Sequence, residues 1–259
     1  MLLVIDNGNT NGGFAVYDGE RQLGEWRCSS NAHRTSDEYG VWLTQLLRII
    51  DLGPADITAV DISNVVPAAE RALRELCRRY LGCEPVSVHD TLKSAQIPIR
   101  IARPDQVGAD RLANAKAAHA TYSGPMIILD FGTATTFDVI DPDGGYSGGI
   151  IAPGVNLSLE ALYLAAARLP RIPLDKPSRV VGDDTVSAMQ SGVFWGYVSL
   201  IEGLIARIDA ERQRKHLVIA TGGLAPLFEA ACQAIDHVDL DLTLRGVRLL
   251  YEAHYARSS

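Results

Sequence analysis

Cysteine is scarce in this 259-residue chain, which has only Cys28, Cys77, Cys83 and Cys232. They are scattered, with no C-x-x-C pair and no His/Cys cluster, so neither a zinc site nor a disulfide framework is indicated and a reducing cytoplasm is the expected compartment. Positive charge is also in short supply. Against 24 Lys and Arg stand 31 Asp and Glu, a net charge of −7, which leaves no electrostatic footprint for nucleic acid. Long apolar runs are missing too. None suffices to span a bilayer, and the N-terminal run of roughly five residues has no basic segment before it, so neither a membrane partner nor a signal peptide is expected.

What is present is an ordinary globular composition, 47% hydrophobic and 21% charged, in a length that suits one large or two ordinary domains. The apolar run Ile127-Ile128-Leu129 delivers Asp130 into Phe131-Gly132-Thr133-Ala134-Thr135-Thr136. Near the N-terminus Leu2 to Ile5 delivers Asp6 into Asn7-Gly8-Asn9-Thr10, and a second strand-like run follows from Gly13 to Asp18. The two aspartates lie close to half the chain apart. Such a repeat predicts two copies of one half-domain facing a central cleft, with a carboxylate of each at the rim. Phosphate handling suits that pattern. Glycine lets backbone amides approach phosphate oxygens, Thr and Asn add donors, and an aspartate at a strand end can hold Mg²⁺ directly or through water. The alternative is a pair of β-hairpins whose Asp and Asn only satisfy turn geometry.

Periodicity predicts a helix over 39–50 capped within Ser36-Asp37-Glu38, a strand over 57–66, a helix from Pro67 to Tyr80 stopped by Gly82, and a short strand at 86–88. That alternation is of the α/β kind. An extended stretch from Ile97 leads into a helix over 112–122 with Asp110 at its start, either as an ordinary N-cap or as a general base on a cleft floor. The breaker cluster Ser123-Gly124-Pro125 divides the chain into domains 1–124 and 125–259. In the second, Asp141-Pro142-Asp143-Gly144-Gly145 makes a hairpin turn, and a glycine-rich strand over 148–154 leads to a helix over 158–169 that includes Ala161, Ala165, Ala166 and Ala167. A long helix over 186–212 follows a cap at Gly182-Asp183-Asp184-Thr185, and its Gly192, Gly196 and Gly203 suggest a close-packed neighbour. The strand over 216–220 runs into Thr221-Gly222-Gly223, a tight turn or a nucleotide-facing helix mouth. The last helix is expected over 242–256.

Six blocks together carry a resemblance: Asp6-x-Gly8-Asn9-Thr10-Asn11, Gly108-Ala109-Asp110-Arg111, Asp130-Phe131-Gly132-Thr133-Ala134-Thr135-Thr136, Gly148-Gly149-Ile150-Ile151-Ala152-Pro153-Gly154, Asp184-Thr185 and Thr221-Gly222-Gly223-Leu224-Ala225. Over nearly its whole length the chain resembles the type III pantothenate kinases of the acetate and sugar kinase, Hsp70 and actin superfamily. The resemblance implies two duplicated RNase H-like, actin-like ATPase domains, and transfer of the γ-phosphoryl of ATP to pantothenate at the start of coenzyme A synthesis. It also implies a homodimer with the active site near the interface, Mg²⁺ with the ATP, and a monovalent cation, K⁺ or NH₄⁺.

Carried over by position, Asp6, Asn7, Gly8, Asn9, Thr10, Asn11, Gly12 and Gly13 would cradle ATP, with Asp6 near Mg²⁺, and Thr133 would contact phosphate. Asp130 would bind the monovalent cation. Ile101 and Gly108, Ala109, Asp110 and Arg111 would form the pantothenate site, with Asp110 as base, and Thr185 would reach substrate from the partner subunit. The chain departs from the family at two positions: Asn7 replaces an apolar residue, and Ile101 replaces a tyrosine nine residues before the catalytic aspartate. The competing class is a degenerate homologue that keeps nucleotide binding and serves as a regulatory or accessory protein.

Overall fold

The computed structural model describes residues 1–166 and 169–256, so Ala167 and Arg168 of the helix expected over 158–169 lie outside the described residues; the helix observed there spans Val155–Ala165, and Ala166 and Leu169 are not part of it. Two five-stranded sheets belong to two compact units. Unit 1 takes Met1–Pro98, Ala102–Ala120 and the segment from Asp241; unit 2 takes Ile99–Ile101 and Thr121–Leu240. Passage into the main part of unit 2 at Thr121 falls near the breaker cluster. The final helix, which a division at 124/125 assigns to the second half, packs instead in unit 1, because Leu244, Val247 and Leu250 are buried there with Val4, Ala15 and Val88.

In unit 1 the strands run in the order β3-β2-β1-β4-β5, with β1 Leu2–Asn7, β2 Asn11–Asp18, β3 Arg21–Ser29, β4 Ala59–Asn64 and β5 Val86–Ser87. β1, β2 and β3 pair antiparallel; β4 joins β1 in parallel and β5 joins β4 in parallel. β1 is apolar at successive positions because both of its faces are covered. Leu3 and Ile5 pack with Tyr39, Leu43 and Leu47 of helix α1 (Ser36–Ile49) and with Leu73 and Leu76 of α2 (Glu70–Leu76). On the other face Val4 meets residues of α3 (Val88–Ala95), α4 (Ala109–Thr121) and α8 (Leu242–Tyr255).

The helix starts differ from the sequence reading for local reasons. Thr35, rather than Ser36, caps α1, in a capping box with Glu38. The expected strand at 86–88 is cut to two residues because the Ser87 side chain accepts from the His89 amide and starts α3, an unforeseen helix. α4 begins at Ala109, earlier than Leu112, which moves Asp110 from a cap position into the first turn. α8 approaches α4 so closely that a Cβ on Gly246 would lie 2.1 Å from the Ala113 carbonyl oxygen, so only glycine fits there.

Unit 2 repeats the scheme. Its order is β10-β9-β6-β7-β8, with β6 Met126–Phe131, β7 Ala134–Ile140, β8 Tyr146–Pro153, β9 Leu217–Gly222 and β10 His237–Val238. β6, β7 and β8 form the antiparallel meander, while β9 joins β6 and β10 joins β9 in parallel. The duplication read from the two Asp-x-Gly blocks is therefore a duplication of topology. Helices α5 (Val155–Ala165), α6 (Thr185–Arg212) and α7 (Ala225–Glu229) complete the unit, with Phe194 and Phe228 stacked on one another in the core. Asp184 caps α6 in a box with Ser187. The close neighbour expected for its glycines is absent among the described residues: a Cβ on Gly192 or Gly196 would meet nothing within 4 Å, and one on Gly203 only the Arg207 side chain. No described helix is long and apolar enough to cross a membrane.

Candidate active site

β1 ends in the carboxylate that the sequence singled out. Asp6 registers with Gly13 of β2 and Ser63 of β4, and Gly13 registers with Arg27 of β3. Side chains opposite one another in a sheet share a face, so Ser63, Asp6 and Arg27 stand in one row, with Gly13 of β2 between the carboxylate and the guanidinium and the Leu244 side chain packed over it, 3.4 Å from where a Cβ would lie. Asp6 is half-buried. Its carboxyl is pushed up to about 6, first by burial and then by the negative charge of Asp110; the Ser63 hydroxyl and the Arg27 guanidinium pull it the other way. Neither Ser63 nor Arg27 was singled out by the sequence reading. Strand register brings them to Asp6, and register is not written in either residue's neighbours.

Asp110 reaches this place through α4. Its Oδ1 accepts from the backbone amide of Arg111 at 2.9 Å, and the Leu112 amide donates to the Gly108 carbonyl at 3.3 Å. A Cβ on Gly108 would lie 2.4 Å from Asp110 Oδ1. The glycine of Gly-Ala-Asp-Arg thus leaves room for the carboxylate that folds back over it. Within unit 1 the structure brings together a carboxylate at the strand end and a second at a helix start, each in the other's field.

The turn between β1 and β2 presents Asn9, Thr10 and Asn11 to solvent, closed by the Gly8 amide donating to the Asn11 carbonyl at 3.1 Å. Asn7 behaves otherwise. It is 1% exposed and shares the core face with Leu3 and Ile5, where its Nδ2 donates to Asn64 Oδ1 at 2.9 Å and its Oδ1 accepts from Ser30 Oγ at 3.3 Å. Asn64 in turn donates to Glu70 of α2 at 2.8 Å. Both polar atoms of the Asn7 side chain are thus paired, which ties the turn to the sheet and to α2 and turns the side chain away from the exposed side of the turn. Gly12 makes room for it, since a Cβ there would lie 3.1 Å from Asn7 Oδ1.

Unit 2 places Asp130 at the matching end of β6, half-buried, and Thr133 exposed in the turn that follows. Gly222, at φ +87, would with a Cβ come within 2.8 Å of Asp130 Oδ1, and Gly154 would come within 2.2 Å of the Thr133 carbonyl oxygen. The two glycine-rich blocks therefore serve to admit this turn and carboxylate. Ile101 belongs to the short segment that joins unit 2 at β8: Ile99 bridges to Tyr146, the Arg100 amide donates to the Tyr146 carbonyl at 2.8 Å, and Arg100 pairs with Asp141 and Asp143. Ile101 then stands beside Gly148, whose absent Cβ would be 3.7 Å from its Cγ2. Thr185 is the exposed first residue of α6 and lines an apolar cavity of about 530 Å³ with Leu162, Met189 and Val193.

Among the described residues no three His, Cys, Asp or Glu side chains gather as a metal cage. A hard divalent ion does not need one, because Mg²⁺ is usually held by one or two carboxylates with water and substrate phosphate. Asp6 fits that donor set: it is desolvated beside another carboxylate and so gains from a cation.

A meander followed by two parallel strands, made twice, with an aspartate ending the first strand each time, defines the actin-like class of phosphate-handling folds. A solved activator of 2-hydroxyisocaproyl-CoA dehydratase from Clostridium difficile, with bound ADPNP, shares this fold at a TM-score of 0.56 and 13% identity, over 99% of this chain and 97% of that one. The type III pantothenate kinase family model matches residues 2–207. A type III pantothenate kinase of Paramagnetospirillum magneticum is 58% identical over all of this chain and 98% of its own, and one of Phenylobacterium zucineum is 55% identical over the full length of both. The chain belongs to the type III pantothenate kinase family.

Proposed function

We propose that this chain transfers the γ-phosphoryl of ATP to the primary hydroxyl of pantothenate, and that the meeting of Asp6 and Asp110 is the feature that performs it. Phosphoryl transfer asks chiefly for positioning and charge neutralisation. Asp6 and the turn Gly8–Gly13 take the nucleotide, with backbone amides and the Asn9, Thr10 and Asn11 side chains directed to phosphate and Asp6 directed to the ion that accompanies it. Mg²⁺ held there would neutralise phosphate charge. Asn7 contributes through its backbone and through the bonds that brace the turn.

Asp110 is the base, accepting the hydroxyl proton of pantothenate as the new P–O bond forms. Gly108, Ala109, Arg111 and Ile101 take pantothenate, with the Arg111 guanidinium suited to its carboxylate. In unit 2, Thr133 is assigned to phosphate and Asp130 to K⁺ or NH₄⁺, for which a half-buried carboxylate supplies hard oxygen. A homodimer in which Thr185 serves the partner's substrate site, working in the cytoplasm, completes the reading. No observation favours an accessory protein.

The test is a coupled assay with ATP, pantothenate and Mg²⁺ in K⁺, NH₄⁺ or Na⁺, with the product identified by mass spectrometry. Phosphopantothenate should form in K⁺ and NH₄⁺, fall sharply in Na⁺, and be lost by about 10²–10⁴-fold in Asp110→Asn. Full turnover in the mutant, with unchanged circular dichroism, would show that Asp110 is only part of a helix turn; equal rates in the three salts would remove the role of Asp130. Light scattering should give a dimer.

A further inference from the structure

Arg27 is a charged residue on the Asp6 face to which neither phosphoryl transfer nor pantothenate binding has assigned a role. Arg27 lies in the same register row as Asp6, two strands away, and the residue between them, Gly13, has no side chain. Strands stand about 4.8 Å apart, so an arginine stem is long enough to bring its guanidinium to the ground above that row. The side chain is 47% exposed, and its ion-pair partner is Glu25, Nε to Oε1 at 3.6 Å, longer than a hydrogen bond. Glu25 is itself a poor counter-ion: burial and the neighbouring Asp241 both favour its neutral form. The guanidinium is thus accessible, loosely held, and in the same register row as Asp6.

We propose that Arg27 is a nucleotide-phosphate-binding residue, its guanidinium pairing with the polyphosphate of ATP laid on the Asp6 turn. The proposal rests on the assignment of residues 6–13 to ATP. An arginine fork matches phosphate oxygens bidentately, and charge-assisted bonds of this kind are the stronger ones. It would place a fixed cation opposite Asp6 across the row, so that ATP meets opposite charge in a chain that is acidic overall.

Equilibrium titration of the purified protein with ATP, by calorimetry at several salt concentrations, tests this. Arg27→Gln should weaken ATP binding about tenfold or more and flatten its salt dependence, Arg27→Lys should recover part of the loss, and Glu25→Gln should leave ATP binding as it was. ATP affinity and salt slope unchanged in Arg27→Gln would overturn the proposal, as would a Glu25→Gln variant that weakens ATP equally, since Arg27 would then act only through that pair. Asp6→Asn separates the two levels. If it binds MgATP normally, the assignment of the turn falls and the proposal with it, whereas a damaged Asp6→Asn beside an unaffected Arg27→Gln sinks the proposal alone.

Discussion

Asp110 stands near enough to Asp6 for its charge to be felt there, and burial with that charge lifts the Asp6 carboxyl to about 6. Such a carboxyl is charged above roughly pH 6 and protonated below it, far from the ordinary aspartate value of about 3.9. Only the charged form attracts a cation. The profile of kcat/KM for ATP, which reports the free enzyme, should therefore fall on the acid side with a midpoint near 6. In Arg27→Gln the guanidinium that favours the charged form is gone, and the midpoint should move upward. An acid limb near pH 4 in the parent protein would contradict the environment described for Asp6.

Gly108 offers a substitution smaller than any change to the carboxylate itself. Alanine there would put its Cβ on Asp110 Oδ1, and the side chain, being free to rotate, would give way before the backbone does. A displacement of about 1 Å at a reacting group costs on the order of a hundredfold in rate. Gly108→Ala should accordingly lose about that much kcat while its melting temperature stays close to the parent's. Unimpaired turnover would mean that the observed carboxylate position is not the working one.

Asp61 is wholly buried in β4, with Oδ2 accepting from Thr91 Oγ1 at 3.3 Å, and burial raises its carboxyl to about 7. Since the folded value lies above the unfolded one, its protonation favours the fold. The contribution is complete below about pH 4 and is lost as the pH rises through 7. Asp61→Asn stays neutral at every pH and keeps the shape. It should be more stable than the parent by about 1–3 kcal/mol at pH 8 and by little at pH 4, as read from urea melts. A difference independent of pH would refute this.

Ile101 is proposed as an apolar wall of the pantothenate site, at a position where the resemblance implies a tyrosine. One neutral hydrogen bond is worth about 0.5–1.5 kcal/mol, roughly a threefold to tenfold change in affinity. Ile101→Tyr should lower the KM for pantothenate by about that factor and leave the KM for ATP alone. Arg100, its neighbour in the chain, is already bound to Asp141 and Asp143. An unchanged pantothenate KM would withdraw Ile101 from the pocket.

Local chemistry made much of this legible from residues alone. Apolar runs broken by Asp-x-Gly marked β1 and β6 and the duplicated topology behind them, and Gly82, Pro67 and the 141–145 turn punctuated the chain where expected. Contacts distant in sequence did not show. Ser63 and Arg27 meet Asp6 only through register, the polar Asn7 makes sense only once Asn64 and Ser30 are seen around it, and the small residues of α6 signalled a neighbour that the described chain does not supply. Position in the first turn of α4, rather than at its cap, likewise depends on Gly108 and on the helix packed behind it.

That packed helix has a consequence for how the protein is made. α8 lies against β1, β4 and α3, and its Gly246 seats the helix that carries Asp110. Chains leave the ribosome in order, and domains generally fold as units as they emerge. Unit 2 is contained within residues 99–240 and can form while synthesis continues, whereas unit 1, begun first, lacks one of its layers until residue 255 has been added. During translation β1 and the Asp6 turn are thus among the oldest parts of the polypeptide and among the last to be enclosed.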